Sequence, residues 1–203
     1  NLGILAPDIS ASCLVYHAPS KTLYGHAAYG MTMPEPRRDL FMAYDLEKRQ
    51  VLFSGGPADS CRRSIIVAPD GRAYIDDSKN KVFARYDPAT RTMTNTTTAV
   101  PGNGQLRAAS APDTNGIVYA FSRDGVLFAF DTKTEKVTDL GWAFVQTQYI
   151  TACKLDATGR YLYFVPGGHG GSGKIGSPVI QVDLITKQRK VIAFLSAYLH
   201  ECK

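Results

Sequence analysis

Four histidines and a scatter of arginines are the side chains best suited to chemistry, and two histidines and three arginines stand out by position. His26 lies two residues past Tyr24 in the segment TLYGHAAYG, and His169 lies in the glycine-rich run PGGHGGSGKIGSP. Brought together by the fold, two loop imidazoles can act as a general acid/base pair or as metal ligands. They are the candidate catalytic residues. No HxxxH or HxH pattern accompanied by a carboxylate occurs, so no metal and no cofactor is expected.

Arg62, Arg63 and Arg107 stand where inner strands should begin, and a guanidinium there can grip a carboxylate through two parallel hydrogen bonds. An anionic ligand such as an acidic sugar would suit them. The alternative is structural: Arg62 or Arg63 pairs with Asp59, Asp76 or Asp77 and ties neighbouring elements together. Gly168 to Ile175 resembles the phosphate loop GxxxxGK[ST] but ends in Ile175, which cannot ligate magnesium, and it reads as strand–loop–strand with no helix to follow. Its glycine N–H groups can still form an anion nest with Lys174 beside it, the fourth candidate ligand-binding residue; the competing reading is a plain linker.

The elements that must position these groups are legible from a repeat. Tyr24, Tyr74, Tyr119 and Tyr163 are 50, 45 and 44 residues apart, and Asp45, Asp87, Asp131 and Asp183 are 42, 44 and 52 apart. Each copy reads as an apolar run, a Pro-Asp-Gly-like turn, a strand with a tyrosine, a loop, a strand ending in Asp, a turn and a last strand. Apolar residues alternate or form runs of four to six, and nothing sustains a helical stripe. Asp70-Gly71, Asp124-Gly125 and Thr158-Gly159 supply the positive φ of tight turns, and Asp87-Pro88 opens another. The expectation is an all-β chain of four-stranded antiparallel meanders, the blades of a β-propeller, over about 10–56, 60–99, 105–141 and 148–195. The repeated aspartates are expected to accept hydrogen bonds from N–H groups of the following turn, and the tyrosines to pack between blades with the hydroxyl at the rim.

The stretches APDGRAYIDDSKNKVFARYDPATRTMT and GVLFAFDTKTEKVTDLG resemble blades of the virginiamycin-B-lyase-like and gluconolactonase-like propellers. The resemblance runs over roughly residues 10 to 195 at the level of the blade phrase, and it implies a six- to eight-bladed ring of which about four blades are present. Residues 1–7 and 196–203 read as strands of partial blades. Two arrangements follow: a segment whose ring is completed by another polypeptide, or a closed ring in which head and tail strands combine, since open edges invite association.

The first and last repeats carry insertions, Gly30 to Arg38 and Pro166 to Pro178, on the side where Pro101 to Gln105 and Gly141 to Gln148 emerge; rigid scaffolds usually bind through such loops. The net charge of +5 is spread over all repeats, unlike the concentrated basic face of a nucleic-acid binder, and no apolar window is long enough for a membrane helix. Cys13, Cys61, Cys153 and Cys202 form no CxxC; they are two disulfides or buried thiols. The chain opens on Asn1 and carries an Asn95-Thr96-Thr97 sequon, so an exported, mature protein, extracellular or periplasmic, is expected. The function this favours is a binding or scaffold module engaging a partner protein or anionic ligand through one loop face. The alternative is a carbohydrate-directed lyase or hydrolase, which would place His26 or His169 in a cleft beside Tyr, Arg or a carboxylate.

Overall fold

Four antiparallel sheets carry the chain in a computed structural model, which describes residues 9–29, 40–57, 59–61, 63–143, 150–167 and 176–195. The first sheet contains β1 (Ile9–His17), β2 (Thr22–Tyr29), β3 (Leu40–Asp45) and β4 (Gln50–Gly55). The second contains β5 (Ile66–Val67), β6 (Ala73–Asp77), β7 (Val82–Asp87) and β8 (Thr92–Ala99). The third contains β9 (Leu106–Ala109), β10 (Ile117–Ser122), β11 (Val126–Asp131) and β12 (Lys136–Trp142). The fourth contains β13 (Ile150–Leu155), β14 (Tyr161–Pro166), β15 (Pro178–Asp183) and β16 (Arg189–Phe194). In each sheet the strands pair in chain order, so each is a simple meander, and among the described residues there is no helix. The expected all-β propeller-blade architecture is what the chain adopts.

The repeat is exact in register. In the first, third and fourth sheets the residue two before the tyrosine faces the repeated aspartate: Thr22↔Asp45, Ile117↔Asp131 and Tyr161↔Asp183. Each aspartate then organises the turn after it. Asp45 Oδ1 accepts from Glu47 N and Lys48 N, both at 2.9 Å, and Asp87 Oδ1 from Ala89 N at 2.8 Å. Asp131 Oδ1 accepts from Lys133 N at 2.8 Å, and Asp183 Oδ1 from Ile185 N at 2.9 Å and Thr186 N at 3.1 Å. The carboxylate thereby satisfies N–H groups that the ladder leaves over. Four residues on, Arg49, Arg91, Glu135 and Lys187 all have positive φ, between 53° and 63°, which returns the chain into the last strand.

The chain divides into two compact units, Asn1–Val100 with Gly104–Leu106, and Pro101–Asn103 with Arg107–Lys203. In the first unit the core lies between the first two sheets, where Tyr24, Phe41 and Ala43 meet Val67, Ala73, Ile75, Ala84 and Tyr86. Ring centroids of Tyr24, Phe41 and Phe53 lie 5.2–6.0 Å from that of Tyr86, a cluster of tilted and edge-on contacts. Two polar side chains of the first sheet also clasp the second sheet's Pro69–Gly71 turn. Tyr24 Oη donates to Gly71 O at 2.6 Å, and His17 Nε2 lies 3.2 Å from Pro69 O. Gly71 has φ +88° and lies against the His17 ring, so a side chain there would be strained. The second unit has its own core, with Phe121, Leu127 and Ala108 against Leu162, Phe164, Ile180 and Val182. Each large apolar side chain buried in these cores contributes about 1.5–3 kcal/mol.

Candidate functional site

Alternation along the strands gives each sheet two faces, and the side chains with chemical potential sort onto them. His26 lies near the end of β2 on the inward face of the first sheet. It is 1% exposed, and its Nε2 is 3.2 Å from Ser60 Oγ. Beside Ser60, the backbone N–H of Cys61 donates to Asp76 Oδ2 at 2.8 Å, as does Ser78 Oγ at 2.5 Å. Asp76 is itself 1% exposed, and burial pushes its carboxyl above the ordinary range against the pull of Ser78 and Cys61. The polar groups at this junction therefore bind to one another and join the segment before β5 to the ends of β2 and β6.

Arg63 is exposed, and Arg107 is half-buried on β9. His169, Arg62 and Lys174 lie outside the described residues, as do residues 30–39 and 168–175. Among the described residues no group of three or more His, Cys, Asp or Glu is arranged to hold a metal ion. Cys13 and Cys153 are free thiols, while Cys202 lies outside the described residues. Burial pushes the Cys153 thiol up to about 12 and raises that of Cys13. Among the described residues no helix is long and apolar enough to cross a membrane.

Two features were not singled out from the sequence. The first is a cross-strand row on the outward face of the first sheet, Tyr16–Leu23–Tyr44–Val51, defined by consecutive register pairs. Its equivalent in the second sheet, Val67–Ala73–Tyr86–Met93, packs against the first sheet. In the first sheet the ends of the row are open, Tyr16 at 53% and Val51 at 46% exposed with neighbouring Leu14 at 56%, while Tyr44 between them is buried. The run Cys13-Leu14-Val15-Tyr16, apolar on both strand faces, is the signal that would have marked it. The fourth sheet is uncovered along its last strand, where Val191, Ile192 and Phe194 are 43–48% exposed.

The second feature is a cleft of about 440 Å³ inside the first unit, lined by Phe53, Gly56 and Pro57 on one side and Asp77, Arg91, Thr92, Met93 and Asn95 on the other. Asp77 is 6% exposed, with Oδ1 accepting from Asn80 N at 3.1 Å and Oδ2 from Asn80 Nδ2 at 2.7 Å and Asn95 Nδ2 at 2.8 Å. Burial alone would raise its carboxyl, but the asparagine donors outweigh it and hold it below the ordinary range, so it is ionised at neutral pH. The sequon residue Asn95 thus sits on β8 with its amide nitrogen engaged by Asp77.

No family model and no curated protein matches this sequence. Solved structures do resemble it. The RRP9 WD40 repeats align over 92% of this chain and 52% of theirs, at 13% identity with a TM-score of 0.64. An auxiliary nutrient binding protein from Bacteroides thetaiotaomicron aligns over 90% of this chain and 40% of its own, at 17% identity and TM-score 0.59. A catalytically inactive virginiamycin B lyase from Staphylococcus aureus, solved with quinupristin, aligns over 90% and 55%, at 7% identity and TM-score 0.60. At such identities the likeness is one of fold, and it agrees with the propeller resemblance carried by the blade phrase. The chain spans about half the length of these solved proteins.

Proposed function

We propose that this chain is a β-propeller binding module whose principal partner is a polypeptide, docked on the outward face of the first sheet. The reading rests on one observation. The row Tyr16–Leu23–Tyr44–Val51 is built like the row that the second sheet buries against the first, yet its ends are in solvent. Leaving three large apolar side chains of one face exposed costs the molecule burial that a docked sheet would restore, about 25 cal/mol per Å² covered. A four-stranded blade supplied by another polypeptide fits that face, because its counterpart in the second sheet receives such a blade. In this reading Arg62, Arg63, Arg107 and Lys174 attract an anionic ligand, and the protein acts outside the cytosol.

The test is the native size of the protein as it occurs in its source. A particle well above 22.1 kDa that shrinks when Leu14→Asp and Tyr16→Asp are introduced together supports the reading. A particle of 22.1 kDa, or a large one indifferent to both substitutions, defeats it.

A further inference from the structure

The cleft between Phe53 and Asn95 lies within the first unit, where the first two sheets meet. Register places Met93 of β8 opposite Tyr86, one residue before Asp87, and Arg189 of β16 opposite Val182, one residue before Asp183, so the two occupy equivalent positions. In the second unit Arg189 reaches across, donating from Nη2 to Leu140 O at 2.6 Å on the outer strand of the preceding sheet. In the first unit the equivalent Met93 stops beneath Gly56, where an added Cβ would come within 3.2 Å of its sulfur. The shorter reach of the thioether leaves the space open.

The walls have two characters. Phe53, Pro57 and Met93 form an apolar floor, and Asp77, Asn95, Thr92 and Arg91 form a polar margin. Asp77 is a buried carboxylate held by the Asn80 and Asn95 side chains and by the Asn80 and Lys79 N–H groups, and it places a fixed negative charge at this margin. Arg91, exposed at the cleft's edge, brings donors without acceptors. At about 440 Å³ the space is of the size that holds small ligands.

We propose that this cleft binds a neutral sugar ring. Its C–H face lies on Phe53 and Met93, and its hydroxyls accept from Arg91. The charges decide between neutral and acidic sugars: Asp77 and Arg91 balance each other, and a second carboxylate placed in the cleft would face the ionised Asp77 as well as the guanidinium. The site is separate from the outward face of the first sheet, so it does not depend on the polypeptide partner.

The test follows the Met93 methyl and Asn95 side-chain amide resonances of the intact chain in NMR titrations with glucose, galactose, N-acetylglucosamine and galacturonic acid. At least one neutral sugar should shift both signals saturably, and galacturonic acid should bind several-fold more weakly than galactose. Arg91→Gln, a change at an exposed position, should weaken the best sugar about tenfold while leaving the remaining spectrum in place. Absence of saturable shifts at these two residues with every sugar overturns the proposal, as does binding that Arg91→Gln leaves unchanged. Galacturonic acid binding more tightly than galactose overturns the assignment to a neutral ring.

Discussion

Removing the Tyr24 hydroxyl tests whether the junction between the first two sheets is held as described. In Tyr24→Phe the ring and its contacts with Phe41 and Tyr86 persist, while the bond to Gly71 O, 2.6 Å long and buried, is lost together with the hydroxyl's interactions with Ser20 and Thr22. The net value of such a bond is about 1 kcal/mol, and leaving a buried acceptor unpaired costs about 1–3 kcal/mol. A destabilisation of about 1–3 kcal/mol is therefore expected, read as a lower urea midpoint at unchanged m-value, with a melting point falling by about 2–4 °C for each kcal/mol. Tyr161→Phe is the control, because Tyr161 is only half-buried and carries the Arg160 guanidinium over its ring at 5.0 Å. It should change stability by less than about 0.5 kcal/mol. The same hydroxyl has a spectroscopic signature: burial, with Tyr86 beside it, raises the Tyr24 phenol to about 12, so it should ionise after the exposed tyrosines in an alkaline titration. Equal effects of the two substitutions, or a Tyr24 that titrates with the exposed phenols, would refute the account.

Three other outcomes follow from the turns and the buried thiols. Arg49 sits at φ 53°, so Arg49→Gly should be at least as stable as the parent, whereas Arg49→Val should lose about 1–2 kcal/mol in thermal unfolding; the reverse order would contradict the turn geometry. Asp183 is held at about 2, below its usual 3.8, chiefly by the Arg160 hydrogen bond and then by Thr186 and Ile185 N–H groups. A carboxylate depressed in the folded state adds stability above its unfolded pKa and loses it as pH falls through the folded value, here between about 4 and about 2. Denaturation midpoints across that window should therefore fall less steeply in Arg160→Leu than in the parent; an unchanged slope would count against the pairing. Cys153, raised to about 12 by burial, should react with a thiol reagent at pH 8 only as fast as the chain opens, and a burst of labelling at this residue would show the core to be looser than described.

Much of the fold could be read locally because its signals are local. The turn glycines at 71, 125 and 159, the strand alternation and the capping aspartates each act over a few residues, and the structure has them with positive φ and with the expected N–H donors. The tyrosines behaved otherwise. They share one register position, yet Tyr24 and Tyr74 are fully buried while Tyr119 and Tyr163 are only partly so. Tyr24 bonds to the next sheet's turn, whereas Tyr163 Oη accepts from Gln181 Nε2 of its own sheet at 2.7 Å. What lies across a sheet face is not written in the strand that presents it.

The same division applies to the candidate sites. His26 looked like a loop base in the sequence, and only the packing of two sheets encloses it against Ser60, thirty-four residues away. The cleft at Phe53 depends on which side chain, Met93 or Arg189, occupies one position of a repeated phrase, and on the sheet that faces it. Periodicity and turn chemistry determine that this chain makes four twisted meanders, because those preferences are satisfied within a blade. Burial, pairing and cavities arise between blades, from residues distant in sequence, and so the tertiary structure alone decided them.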